Sequence, residues 1–181
     1  SFPFLSFPFP FLFLFFLFLP FLFSYLPYKL INLHYKNKNY SKAMEPLRDY
    51  IIFNPDSSNV LATFADILFQ EQRYPESIDA YQRLYNADSS KVDYLFNIAN
   101  SYIKMDEMVN AKETLTKYIL LGKVDSEILF TLANIESELG DHSNAILHYQ
   151  MAINLGKPTV NMFYNLAMSY AQKNDYTKAL E

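Results

Sequence analysis

Residues 95–118 read LFNIANSYIKMDEMVNAKETLTKY. Leu95, Ile98, Ala99 and Tyr102 fall at i, i+3, i+4 and i+7, the spacing of one face of an α-helix. Ala111, Leu115 and Tyr118 make a second stripe at i, i+4 and i+7. Lys104, Met105, Asp106 and Glu107 lie between the stripes and read as a turn. The segment therefore predicts two antiparallel helices joined by a short connection.

Outward from this stretch, the same positions recur in steps of 34 residues. One row, Ala43, Ser77, Ala111, Ala145 and Ala179, is small throughout. A second is Ile31, Ala65, Ala99, Ala133 and Ala167. Large apolar rows run beside them: Leu30, Phe64, Ile98, Leu132 and Leu166, then Pro27, Leu61, Leu95, Leu129 and Phe163. Leu47, Tyr81, Leu115 and Tyr149, and Tyr50, Leu84, Tyr118 and Ala152, complete the pattern. The register never slips by a residue. Small rows predict the places where helix axes approach closest, and large rows fill the space beside them. Asn54, Asp88, Gly122 and Gly156 share the spacing, and all four residue types tolerate the left-handed conformation that ends a helix. Ser41, Asp141 and Asn174–Asp175 stand near expected helix starts as candidate caps. Glu136 occupies a core row beside the equivalent Tyr102 and Tyr170, and a bond to a neighbouring tyrosine is expected of it.

A helix-turn-helix of this length with these small and large rows resembles the tetratricopeptide repeat. The resemblance covers residues 26–181 in about five copies, the last cut at Glu181 just inside its second helix, as in a fragment of a longer chain. The aromatic residue at the intra-repeat turn is present as Tyr40, Tyr74 and Tyr176 and replaced by Met108 and His142. Ankyrin repeats are one residue shorter and carry a turn motif absent here, and armadillo and HEAT repeats are longer. Pentatricopeptide repeats bind RNA and would be basic. The resemblance implies an all-α fold, a right-handed superhelical solenoid of antiparallel helix pairs whose first helices line a concave groove.

Residues 1–24 need a separate reading, because they contain only Phe, Leu, Pro and Ser, and no charge precedes Lys29. These four residues are the ones that all-pyrimidine codons encode, so the segment reads as a translated polypyrimidine tract. A membrane anchor or a damaged secretory signal is the alternative. The apolar run from Phe2 to Leu26 is long enough to cross a bilayer, but Pro3, Pro8, Pro10 and Pro20 interrupt it. No positive leader or small-x-small cleavage site accompanies it. The expected organisation is a low-complexity segment at 1–24 and a repeat domain at 25–181. The expected location is cytoplasmic, or membrane-anchored through residues 1–26 if that segment is genuine.

The chain has no Cys, three Gly and a net charge of -4. Disulfides, thiolate metal sites and a cysteine nucleophile are excluded, and a basic nucleic-acid surface is not expected. His34, His142 and His148 lack metal-ligand spacing. Asp106, Glu107, Glu136 and Glu138 are expected in turns or on solvated faces rather than in one acid–base pocket. No catalysis, cofactor or metal is expected.

What remains exposed on the first helices is the row Asn32, Asp66, Asn100, Asn134 and Met168, beside Tyr28, Ala62, Phe96, Phe130 and Tyr164. A side-chain amide donates to a peptide carbonyl and accepts from a peptide N–H, so an asparagine ladder can hold an extended backbone. The ladder resembles that of the repeat arm of O-linked N-acetylglucosamine transferase, on a different row of the helix. The candidate partner-binding residues are Asn32, Asp66, Phe96, Asn97, Asn100, Phe130, Asn134, Tyr164 and Asn165. The competing reading is that asparagine abounds here and that the aromatics pack against neighbouring repeats. Tyr28, Asp66, Asp93, Asn97, Glu127 and Thr131 stand where a carboxylate clamp for chaperone tails needs Lys and Arg, so no such clamp is expected. The function expected is a scaffold that binds an extended or helical segment of a protein partner. The alternatives are a substrate-targeting arm of a larger enzyme, such as a glycosyltransferase, and a membrane-anchored assembly factor.

Overall fold

The computed structural model describes residues 27–54 and 57–180, so the readings for 1–24 and 1–26 lie outside the described residues. Among the described residues all regular structure is helical. The helices are α1 (27–36), α2 (Tyr40–Phe53), α3 (Ser58–Gln70), α4 (Tyr74–Ala87), α5 (Asp93–Lys104), α6 (Met108–Leu120), α7 (Ser126–Glu138), α8 (His142–Leu155), α9 (Val160–Gln172) and α10 (Tyr176–Ala179). This is the expected all-α series of helix pairs, with the second helix of each pair starting at Tyr40, Tyr74, Met108, His142 and Tyr176. The described residues divide into two compact units, which meet in sequence between Gln72 and Arg73.

In the first unit, α2 packs on α3. Ile31, Ala43, Leu47 and Ala65 are fully buried, as their rows predict. Leu30 departs from its row: it is 46% exposed, whereas Ile98 and Leu132 at the same place are buried. It flanks a hollow of about 650 Å³ with Pro27, Leu33 and Pro46.

In the second unit each helix from α4 to α10 packs against the next, and the α7–α8 pair shows why. Asp125 caps α7 by accepting from the Ile128 N–H at 2.8 Å. Leu129, Leu132, Ala133 and Glu136 then bury one face at i, i+3, i+4 and i+7. Asp141 caps α8 through the Asn144 N–H, and Ala145, Tyr149 and Ala152 form the answering stripe. Ala133 and Ala145 have no exposed surface and share a core with Tyr149, Phe130 and Leu166. Burying a leucine such as Leu132 contributes about 1.5–3 kcal/mol. In the last pair Phe163 is 52% exposed where Leu95 and Leu129 are buried.

The turns correct one expectation. Positive φ recurs every 34 residues, but inside the helix pairs: Lys38 (57°), Gln72 (61°), Asp106 (62°), Gly140 (77°) and Asn174 (61°). At four of these the following N–H reaches back across the turn, as in Glu107 to Tyr102 O (3.0 Å), Asp141 to Glu136 O (2.8 Å), Asp175 to Tyr170 O (2.9 Å) and Asn39 to His34 O (2.9 Å). These are Schellman closures, which satisfy carbonyls left over at the helix end. Of the four stops expected to be left-handed, only Gly122 is, at φ 89°. Asn54, Asp88 and Gly156 have φ of -137°, -145° and -128°. Gly156 is needed for a different reason: a Cβ there would overlap Ser126 Cβ and Oγ, and Ser126 Oγ donates to Ala152 O at 2.7 Å. Ser41 is not a cap but lies inside α2, whose N-cap is Asn39.

Candidate functional site

α7 and α9 are the first helices of successive pairs, and they touch. Between them runs a cleft of about 370 Å³ lined by Asn134, Ser137, Glu138, Tyr149, Asn165 and Met168. Each wall residue is placed by the repeat. Asn134 and Glu138 are one helical turn apart on α7, beside Ser137. Asn165 and Met168 follow the same turn spacing on α9. Tyr149 rises from the core of α8, where Leu47 and Leu115 hold the same row.

The cleft floor is a three-residue hydrogen-bond cluster. Asn134 Oδ1 accepts from the Tyr149 hydroxyl at 2.7 Å and from Asn165 Nδ2 at 2.8 Å. Tyr149 is 1% exposed. Burial pushes its phenol above the ordinary range and nearby Glu138 and Glu136 push the same way, against Asn165 and Ser137. The hydroxyl is therefore a neutral, fixed donor that pins the Asn134 amide in one orientation. Among the described residues, the Asn134 side-chain NH2 group and the Asn165 side-chain Oδ1 make no hydrogen bond, so donor and acceptor capacity remains on the wall.

Glu138 is exposed at the end of α7 and also lines a second hollow of about 470 Å³ with Asp106, Glu107, Met108, Val109, Asn110 and Leu139. Among the described residues none of Asp106, Glu107 and Glu138 forms an ion pair.

A charged cluster ties α6, α7 and α8 together away from the cleft. Glu136 is 2% exposed; its carboxylate lies 2.6 Å from His148 Nδ1 and 3.6 Å from Lys112 Nζ. Lys112 also donates to Asp141 at 2.9 Å. That bond, with those from Asn144, holds the Asp141 carboxyl down at about 2 and raises the Lys112 ammonium. Sequence position had suggested a bond to a tyrosine or a solvated face; among the described residues Glu136 bonds no tyrosine, and it is buried instead.

Tetratricopeptide-repeat family models match residues 93–121 and 160–181. MamA has a TM-score of 0.78 at 14% identity, over 88% of this chain and 87% of that one. MamA residues 41 to the end from Desulfovibrio magneticus give 0.76 at 12%, over 87% and 89%. YrrB, a TPR protein with an unusual peptide-binding site, gives 0.73 at 16%, over 87% and 81%. No curated protein matches the sequence. The chain carries tetratricopeptide repeats.

On this tetratricopeptide-repeat chain the candidate residues separate into groups. Asn134 and Asn165 meet in the α7–α9 cleft. Phe130 is half-buried, its ring 5.7 Å from that of Tyr149, and Phe96 stands likewise 5.8 Å from Tyr118. Both therefore pack on the second helix of their own pair. Tyr164 is 63% exposed on α9. Asn97 and Asn100 are half-buried on α5. Asn32 and Asp66 belong to the first unit, where the Tyr35 hydroxyl donates to Asp66 at 3.3 Å. Ser137, Glu138 and Tyr149 were not among the candidates. Tyr149 carried a readable signal, a hydroxyl in a row that is leucine at Leu47 and Leu115, because a buried tyrosine needs a partner for its OH.

Proposed function

We propose that this chain is a non-catalytic, cytoplasmic scaffold that holds an extended segment of a partner polypeptide against the first-helix face of its second unit, centred on the α7–α9 cleft. The observation that carries the reading is the Asn134–Asn165 pair. Tyr149 fixes one amide and that amide fixes the other, leaving an outward donor and an outward acceptor. This is the complement of a peptide unit, which presents one C=O and one N–H. Preorganised groups of this kind lose little entropy when a ligand binds. Tyr164 and Met168 on α9 add apolar contact beside them, and both are exposed. The peptide-binding site of YrrB, on the same fold, supports the reading.

The test is selection of random dodecapeptides on the whole chain, followed by affinity measurement on the chain and on an Asn134→Ala/Asn165→Ala variant. Selected peptides are expected to bind the variant about tenfold or more weakly, the loss of one to two hydrogen bonds. Peptides that bind both proteins equally would place the partner surface elsewhere.

A further inference from the structure

We propose that the segment held in the α7–α9 cleft presents a lysine or arginine to Glu138. The inference rests on the reading of the cleft as a peptide site and adds the chemistry that the site selects. Glu138 is the charged residue among those lining the cleft, where Asn134, Ser137, Tyr149, Asn165 and Met168 are neutral. It is exposed and unpaired among the described residues, although cations are present on neighbouring helices. Lys112 on α6 is committed to Asp141 at 2.9 Å and Glu136 at 3.6 Å, and Lys173 after α9 donates to Ser143 at 2.8 Å. Neither forms an ion pair with Glu138. Asp106 and Glu107 share its second hollow, so the rim carries three carboxylates without a counter-ion from the described chain. A cationic side chain on a ligand is drawn to such a rim and an acidic one repelled.

The apolar surroundings narrow the choice to a long stem. Met168 is 44% exposed inside the cleft, and Leu139 and Val109 are 40% and 59% exposed in the adjoining hollow. Lysine and arginine lay their methylenes on such surface while the head stays at the charge. The amides hold the backbone without reading its sequence, and Glu138 supplies the preference for one side chain.

The probes are pools of capped nonapeptides with neutral random positions and a central residue fixed as Arg, Lys, norleucine or Glu. Binding to the whole chain, to Glu138→Gln and to Asn134→Ala/Asn165→Ala is measured at low and at physiological salt. The Arg and Lys pools are expected to bind about fivefold more tightly than norleucine at low salt, and the Glu pool weakest. In Glu138→Gln the four pools should converge. If the wild type binds all pools alike, through Asn134 and Asn165, the basic preference is overturned and the peptide site stands. If Glu138→Gln keeps the preference, Glu138 is not its source and the proposal fails. If no pool binds, the peptide site and its preference fall together.

Discussion

Replacement of His148 by alanine is expected to destabilise the second unit far more than its half-buried position suggests. The reason lies in Glu136, whose side chain is 3% exposed and rests 2.6 Å from His148 Nδ1. Removing one partner of a buried charge costs about 3–5 kcal/mol, because the remaining charge stays out of water. Lys112 is still 3.6 Å from Glu136 and offsets part of that loss. An expected cost of about 2–3 kcal/mol follows, near that of a charged hydrogen bond. Glu136→Met removes the buried charge at similar volume and should cost less than about 1.5 kcal/mol. In that background His148→Ala should then cost about 1 kcal/mol or less, its remaining packing. The assay is urea unfolding by far-UV circular dichroism at neutral pH, with equal slopes required before midpoints are compared. Repeat arrays can lose all-or-none behaviour, so hydrogen exchange in α7 and α8 should localise the change. A His148→Ala penalty under about 0.5 kcal/mol, or an equal penalty in both backgrounds, would refute the reasoning.

Three further expectations can be checked by the same measurements. Gly140→Ala should cost about 1–2 kcal/mol for its left-handed backbone alone, since no atom lies near the new Cβ; Gly156→Ala should cost about 1–3 kcal/mol by overlap with Ser126, and Ser126→Gly should restore most of it, which a melting series would show. Leu132→Ala should lose about 2–5 kcal/mol, and Ala145→Phe about 1–3 kcal/mol, from sites that are 1% and 0% exposed. Asp141, held at about 2 in the folded chain against an ordinary 3.8, should contribute stability above pH 4 that is lost as pH falls toward 2. With screening of this part-exposed carboxylate the contribution is about 1 kcal/mol, and Lys112→Met should flatten that part of the stability–pH curve.

The helix pairs were legible because a buried face has a period, and the rows of Ala99, Ala111, Leu95 and Leu115 repeat it without a gap. Burial departs from the rows at Leu30 in α1 and Phe163 in α9, which stay about half exposed at positions that are buried in other copies. The left-handed row escaped because Lys38, Gln72, Asp106, Gly140 and Asn174 share no side-chain chemistry. Their conformation is imposed by the carbonyls that the turn must satisfy, and only Asp106, Gly140 and Asn174 advertise it. Gly156 looked like one more member of the stop row, yet it serves close approach to Ser126. In the site, the amide row pointed to Asn134 and Asn165. Their joining through Tyr149 depends on a hydrogen bond between α7 and α8 that spacing alone does not reveal. Glu136 was visible as an odd residue in a core row, but its partners come from α6 and α8, at sequence distances that no local pattern marks.

The most direct measurement follows the side-chain NH2 resonances of isotope-labelled whole chain during titration with a selected peptide. The Asn134 and Asn165 amides should shift at saturation, while those of Asn86 and Asn154, exposed on the second helices α4 and α8, stay in place. Shifts confined to α4, α6 and α8, with both cleft amides unmoved, would mean that the partner is held by the opposite face of the repeats.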